Sequence, residues 1–113
     1  MGVDVELRRV KQEGSSPRRR KTEDVRRLHD PSGRFDAMLD RVHHRGRTPM
    51  LDRIDPIEDL ELTSSEMPQF LEELVVAEAE ANSPEERDVM KELRALAEQC
   101  RDDPRLTLLF IGD

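Results

Sequence analysis

The 113-residue chain contains no tryptophan, no tyrosine and only three phenylalanines, so it lacks the aromatic platforms on which single-stranded nucleic acids stack. A single cysteine, Cys100, excludes an internal disulfide and a multi-cysteine zinc cage. The five glycines, Gly2, Gly14, Gly33, Gly46 and Gly112, stand too far apart for a phosphate-binding loop or a dinucleotide fingerprint, and no cofactor is expected. No apolar run exceeds four residues (Leu74 to Ala77 and Leu108 to Ile111), which excludes a helical membrane span. No apolar block follows the first basic residues, so no secretory signal is expected. Met1-Gly2 is not read as a myristoylation signal because Glu6 stands where that motif wants Ser or Thr. These absences together predict a small cytoplasmic protein.

Charge is what the chain has in quantity: 40% of its residues are charged against 35% hydrophobic, and its mean hydropathy is -0.81. That balance permits one modest core. The formal charge of -7 conceals a division. Residues 1–49 hold 13 Lys and Arg against 8 Asp and Glu, whereas residues 50–113 hold 6 against 18. The basic excess centres on Arg8, Arg9, Lys11, Arg18, Arg19, Arg20, Lys21, Arg26 and Arg27, around Gly14-Ser15-Ser16-Pro17. A stretch without large apolar residues cannot offset the entropy of ordering, so 12–22 is expected to be a flexible basic loop in a single domain spanning 1–113. A basic run also invites a nucleic-acid reading through counterion release. The acidic half would repel the same phosphates, so a solvated loop is the better expectation and no nucleic-acid partner is assigned.

Periodicity predicts a small α+β fold. Val3, Val5 and Leu7 alternate with Asp4, Glu6 and Arg8 in a strand over 3–10. Leu106, Leu108 and Phe110 face one way and Leu109 and Ile111 the other, so 105–111 is a strand that is central or covered on both sides. Leu60 and Leu62 mark a short strand over 59–62. Apolar residues at helical spacing predict helices over 33–45, with Ser32 as cap and Gly46 past its end, and over 65–80, with Ser65 preferred to Thr63 as cap because of Pro68. The third helix, 84–102, carries Ser83 as cap, Pro84 at its first position and Glu86 closing the box. About three strands with these helices packed on one face is the architecture expected.

The densest polar segment is Asp52-Arg53-Ile54-Asp55-Pro56-Ile57-Glu58-Asp59-Leu60-Glu61. A cation loop needs acids at alternate early positions and a sixth-position glycine, and this segment has no glycine, so no metal site is assigned. Asp55-Pro56 is read as a turn that positions the next strand, and Met50, Leu51, Ile54 and Ile57 as facing a core or an interface. His29, His43 and His44 lack a helical metal-ligand spacing. His43-His44 suits the negative end of a helix dipole, and adjacent His29-Asp30 seldom has the geometry of a base and its orienter. Cys100 lies on the apolar stripe of 84–102 and is read as a buried small hydrophobe. No catalytic residue is assigned.

Three pieces, Gly2-Val3-Asp4-Val5-Glu6-Leu7, Met50-Leu51-Asp52-Arg53-Ile54-Asp55-Pro56 and Phe110-Ile111-Gly112-Asp113, together with only three lysines, resemble a set of small uncharacterised proteins from high-GC actinobacteria. The resemblance implies a compact domain with strands at both ends and transfers no activity. The residues themselves predict a non-enzymatic acidic protein that binds or regulates a protein partner, itself basic; an immunity-type inhibitor of a basic toxin is one form. The contact residues expected are Asp52, Asp55, Glu58, Asp59 and Glu61 on the loop and Glu72, Glu73 and Glu80 on the outer side of the second helix. The alternative is a structural or accessory homodimeric subunit, paired through strand 3–10 or through apolar residues near Met50.

Overall fold

The computed structural model describes residues 2–12 and 20–112. Its elements are β1 (Val3–Gln12), β2 (Arg20–Arg27), α1 (Arg34–Val42), β3 (Leu60–Thr63), α2 (Met67–Glu78), α3 (Pro84–Asp102) and β4 (Leu106–Gly112), with short 3-10 turns at Leu51–Arg53 and Ser64–Glu66. The fold is α+β. Four strands form one antiparallel sheet in the order β2-β1-β4-β3, one strand more than periodicity indicates. The added strand, β2, begins inside the stretch read as a basic loop; of that stretch, residues 13–19 lie outside the described residues.

One face of the sheet makes the core. Val3, Val5, Leu7, Leu62, Leu106, Leu108 and Phe110 are buried there, against Phe35 and Met38 of α1, Phe70 and Leu74 of α2, and Leu93, Leu96 and Cys100 of α3. The three phenylalanines of the chain meet, with Phe110 at the centre: its ring lies 6.2 Å from that of Phe35 and 5.6 Å from that of Phe70. Tilted pairs at such distances add about 0.5–1.5 kcal/mol each to the area they bury. β4 lies between β1 and β3; Leu106, Leu108 and Phe110 face the core and Leu109 and Ile111 lie half-buried on the other face. No element covers the opposite face among the described residues. There the carboxylate of Glu6, only 4% exposed, is held by Arg8 at 2.9 Å and Arg27 at 2.5 Å, and Arg8 also reaches Asp24 at 3.1 Å.

The ends of the elements show which caps act. At α3 Ser83 caps as expected, its hydroxyl accepting the Glu86 N–H at 3.1 Å, but the Glu86 carboxylate reaches one residue further back than the box requires, to the Asn82 N–H at 3.0 Å. At α1 Ser32 makes no cap; the carboxylate of Asp30 accepts the N–H groups of Arg34 at 2.8 Å and Phe35 at 2.9 Å, across a left-handed Gly33 with φ 65°. That helix ends at Val42, not 45. Thr63, not Ser65, opens the segment leading to α2: its N–H donates to the Glu66 carboxylate at 2.9 Å, closing a capping box around a 3-10 turn. Because the box serves that turn, Pro68 falls at the start of α2, where its missing N–H costs nothing.

Of the surfaces expected to serve a homodimer, strand 3–10 and Met50, Leu51 and Ile54 are covered, whereas Ile57 is 74% exposed. β1 is flanked by β2 and β4 and has no open edge, while Met50 is 6%, Leu51 0% and Ile54 2% exposed.

Candidate functional site

The acidic loop runs from Ile54, buried in the core, to Leu60, which packs partly against it at the start of β3. Between these anchors Asp55, Pro56, Ile57, Glu58 and Asp59 are all exposed. Its shape is fixed from both sides. The Asp55 carboxylate accepts the Ile57 N–H at 2.8 Å, closing a turn in which Pro56 has its φ set by its own ring. The Asp59 carboxylate accepts the Gly112 N–H at 3.0 Å. Against Gly112 the loop backbone comes so close that a Cβ there would lie 2.5 Å from the carbonyl carbon of Ile57 and 2.6 Å from the nitrogen of Glu58. Glycine is required at 112 for want of room. The loop is thus braced on the end of β4.

What the brace presents is Ile57, 74% exposed, between three carboxylates. Asp55, Glu58 and Asp59 form no ion pair with a described residue. Further carboxylates adjoin: Asp4, exposed, is paired with Ile111 across the β1–β4 ladder, and Pro56 lines a depression of about 310 Å³ together with Val3, Asp36, Leu39, Asp40 and His43. Asp36 accepts the Val3 N–H at 3.0 and 3.2 Å and so ties β1 to α1. Burial, helped by the nearby charges of Asp30 and Asp40, raises its pKa above the ordinary aspartate value although the Val3 N–H pulls the other way.

The other expected contact residues fall elsewhere. Glu73 is not on the outer side of α2: it is 5% exposed, and its carboxylate accepts the N–H of Met50 at 2.9 Å, the N–H of Leu51 at 2.9 Å and the side-chain amide of Gln69 at 2.9 Å. It caps the 3-10 turn Leu51–Arg53. Asp52 is half-buried and accepts the His44 N–H at 2.8 Å and the Thr48 hydroxyl at 3.3 Å. Glu80 is paired with Arg47 at 3.3 Å, and Glu61 accepts the Thr107 hydroxyl at 3.1 Å on the uncovered face of the sheet. Glu72 is exposed on α2 and lines the same depression as Arg47. The eight residues therefore do not make one surface. Asp55, Glu58 and Asp59 stay together, and the structure adds Ile57, Asp4, Asp36 and Asp40 to them.

The groups tested for chemistry have structural partners. A ring nitrogen of His43 lies 3.0 Å from the carbonyl oxygen of Leu51 and so donates to it; the His44 ring lies 5.1 Å from that of His43, tilted by 31°. The backbone N–H of His29 donates to Glu92, and Asp30 is committed to the cap of α1. Among the described residues no three His, Cys, Asp or Glu side chains are arranged to hold a metal ion. Burial pushes the Cys100 thiol up to about 12, and its Sγ lies 3.6 Å from the Leu106 carbonyl. Among the described residues no helix is long and apolar enough to cross a membrane. Comparison with protein-family models, with curated proteins and with solved structures finds no match to this chain, so what can be said of its action rests on the braced loop and its surroundings.

Proposed function

We propose that the chain is a non-enzymatic recognition module that binds a basic protein partner through the acidic end of its sheet. The observation that carries this reading is Ile57, 74% exposed at the tip of a braced loop, with the carboxylates of Asp55, Glu58 and Asp59 around it. A large apolar group inside a polar rim is the arrangement of an interface anchor, and a loop held in shape beforehand has little entropy left to lose on binding. One sign of charge at that end speeds the approach of a basic partner and repels nucleic acid, whose phosphates carry the same sign. A regulator that sequesters a basic protein, as an immunity-type inhibitor does a toxin, fits this arrangement.

The test is affinity capture with the purified chain beside two variants, Ile57→Asp and Asp55→Asn/Glu58→Gln. The wild type is expected to retain a stoichiometric partner that elutes with salt. Ile57→Asp is expected to lose it by about tenfold or more, the cost of burying a charge where an apolar anchor belongs. Equal capture by all three chains defeats the reading.

A further inference from the structure

The acidic half of the chain, residues 50–113, holds six basic residues among eighteen acidic ones. Four of the six are ion-paired within the molecule: Arg53 with Glu66 at 3.4 Å, Arg94 with Glu78 at 2.7 Å, Arg101 with Asp102 at 2.9 Å and Arg105 with Asp103 at 3.1 Å. Arg87 and Lys91 form no ion pair with a described residue. They lie one turn apart on α3, where like charges repel each other, and both are exposed. Together with Glu78 and Arg94 they line a cleft of about 480 Å³ beside α2. Glu78 is engaged by Arg94 through two nitrogens, so the cleft carries the charge of Arg87 and Lys91. The long stems of these side chains supply apolar wall below their charged ends. One turn before Glu78 on α2 stands Val75, 57% exposed.

The loop described above has the opposite character. Among the described residues Ile57 and Val75 are the two large hydrophobic side chains left exposed: one stands among acids in its loop, the other one turn before Glu78, which lines the basic cleft. Held against Gly112, the loop of one molecule does not fill the cleft of that molecule. We propose that the cleft between α2 and α3 receives the acidic loop of a second copy of this chain, Ile57 entering beside Val75 and Glu58 facing Arg87 and Lys91. The proposal rests on the reading of the loop as a recognition element and gives it the basic cleft of a second copy to recognise, in place of a separate basic protein. The contact joins two different surfaces, so it is head-to-tail and each copy keeps one loop and one cleft to offer. Exposed pairs of this kind are screened by salt, and two chains of charge -7 repel at a distance, so association is weak and greatest at moderate ionic strength.

Sedimentation velocity on the full chain, from low micromolar to millimolar concentration, tests this with two variants: Glu58→Lys in the loop and Arg87→Glu/Lys91→Glu in the cleft. Both alter exposed positions, and equal thermal midpoints verify that they fold. The wild type is expected to self-associate, and each variant alone to do so at least about tenfold more weakly. Mixed in equal amounts, the two variants are expected to form complexes of two chains and no larger, because one intact loop then meets one intact cleft. A chain carrying all three substitutions is expected to regain association. A wild type that stays monomeric throughout, or a cleft variant that associates like the wild type, overturns the proposal. If the wild type is monomeric while its loop still captures a basic partner, the second copy is excluded and the recognition reading stands; if Ile57→Asp captures as well as the wild type, that reading has failed in its own right.

Discussion

At Glu73, backbone donors decide where a charged side chain goes. Helical spacing treats Glu72 and Glu73 alike, as polar positions off the apolar stripe, yet one is exposed and the other is 5% exposed. The difference comes from the N–H groups of Met50 and Leu51, more than twenty residues away, which no local pattern announces. Glu73→Ala removes their acceptor and is expected to cost about 2–4 kcal/mol, since each buried donor left unpaired costs about 1–3 kcal/mol. Glu72→Ala should stay within about 0.5 kcal/mol of wild type, as exposed substitutions do. Urea unfolding of the two variants makes the comparison. Cys100 is the reverse case, legible from its place on the stripe of α3. With its thiol pushed up to about 12 and its side chain buried, it is expected to react with a thiol reagent at neutral pH only as fast as the molecule opens, so the labelling rate should rise with urea in parallel with unfolding.

Elements differ in how openly the sequence declares them. α3 begins and ends at the residues expected because its signals are local: Ser83, Pro84 and Glu86 at one end and Pro104 beyond the other. α1 depends on Asp30, four residues before its first turn, and a reading that looks next to the helix finds Ser32 instead. β2 has almost no signal, since in Arg-Lys-Thr-Glu-Asp-Val-Arg-Arg only Val25 is large and apolar. Its register with β1 shifts by one residue there, and Val25 packs partly against the core. Around it ion pairs cross the ladder: Glu23 to Arg9 at 3.0 Å, Asp24 to Arg8 at 3.1 Å and Arg27 to Glu6 at 2.5 Å. Alternation of apolar residues cannot reveal a strand whose partners are ions. Such pairs are weakened by screening while the buried face of the sheet is not. Hydrogen exchange in about 1 M salt is therefore expected to speed at the amides of β2 while those of β4 keep their protection; equal protection of both strands would contradict this.

At the scale of the whole molecule, Glu86 and Glu66 on one side and Asp36 on the other respond to acid in opposite ways. Glu86, hydrogen-bonded by the Asn82 N–H and paired with Arg41, and Glu66, hydrogen-bonded by the Thr63 N–H and paired with Arg53, are held below the ordinary glutamate value. Their contribution is present above that ordinary value and is lost as pH falls through the lowered one. Asp36 is raised, so folding gains from its protonation and the gain disappears as pH climbs through the raised value. In acid titrations followed by circular dichroism, Glu86→Gln is expected to flatten the loss of stability below pH about 4.5. Asp36→Asn is expected to be at least as stable as wild type at neutral pH, since its amide oxygen still accepts the Val3 N–H while the repulsion from Asp30 and Asp40 is gone. The candidate site follows the same division between what is local and what is not. Composition marks the loop as acidic, but its shape depends on Gly112, more than fifty residues later, and on donors that only the folded sheet supplies. The same sheet turns its uncovered face outward with Leu109 and Ile111 half-buried, and Glu6, Arg8 and Arg27 lie over β1 and β2 as a lattice of charge. That lattice has a colloidal consequence. Two flat sheets of this kind would stack, and the ions keep them apart in the way charged residues guard a strand edge. Replacing Glu6, Arg8 and Arg27 by leucine, methionine and leucine should change the thermal midpoint of a dilute sample little, because the one desolvated member, Glu6, is removed together with the arginines that pair with it, while a concentrated sample turns turbid.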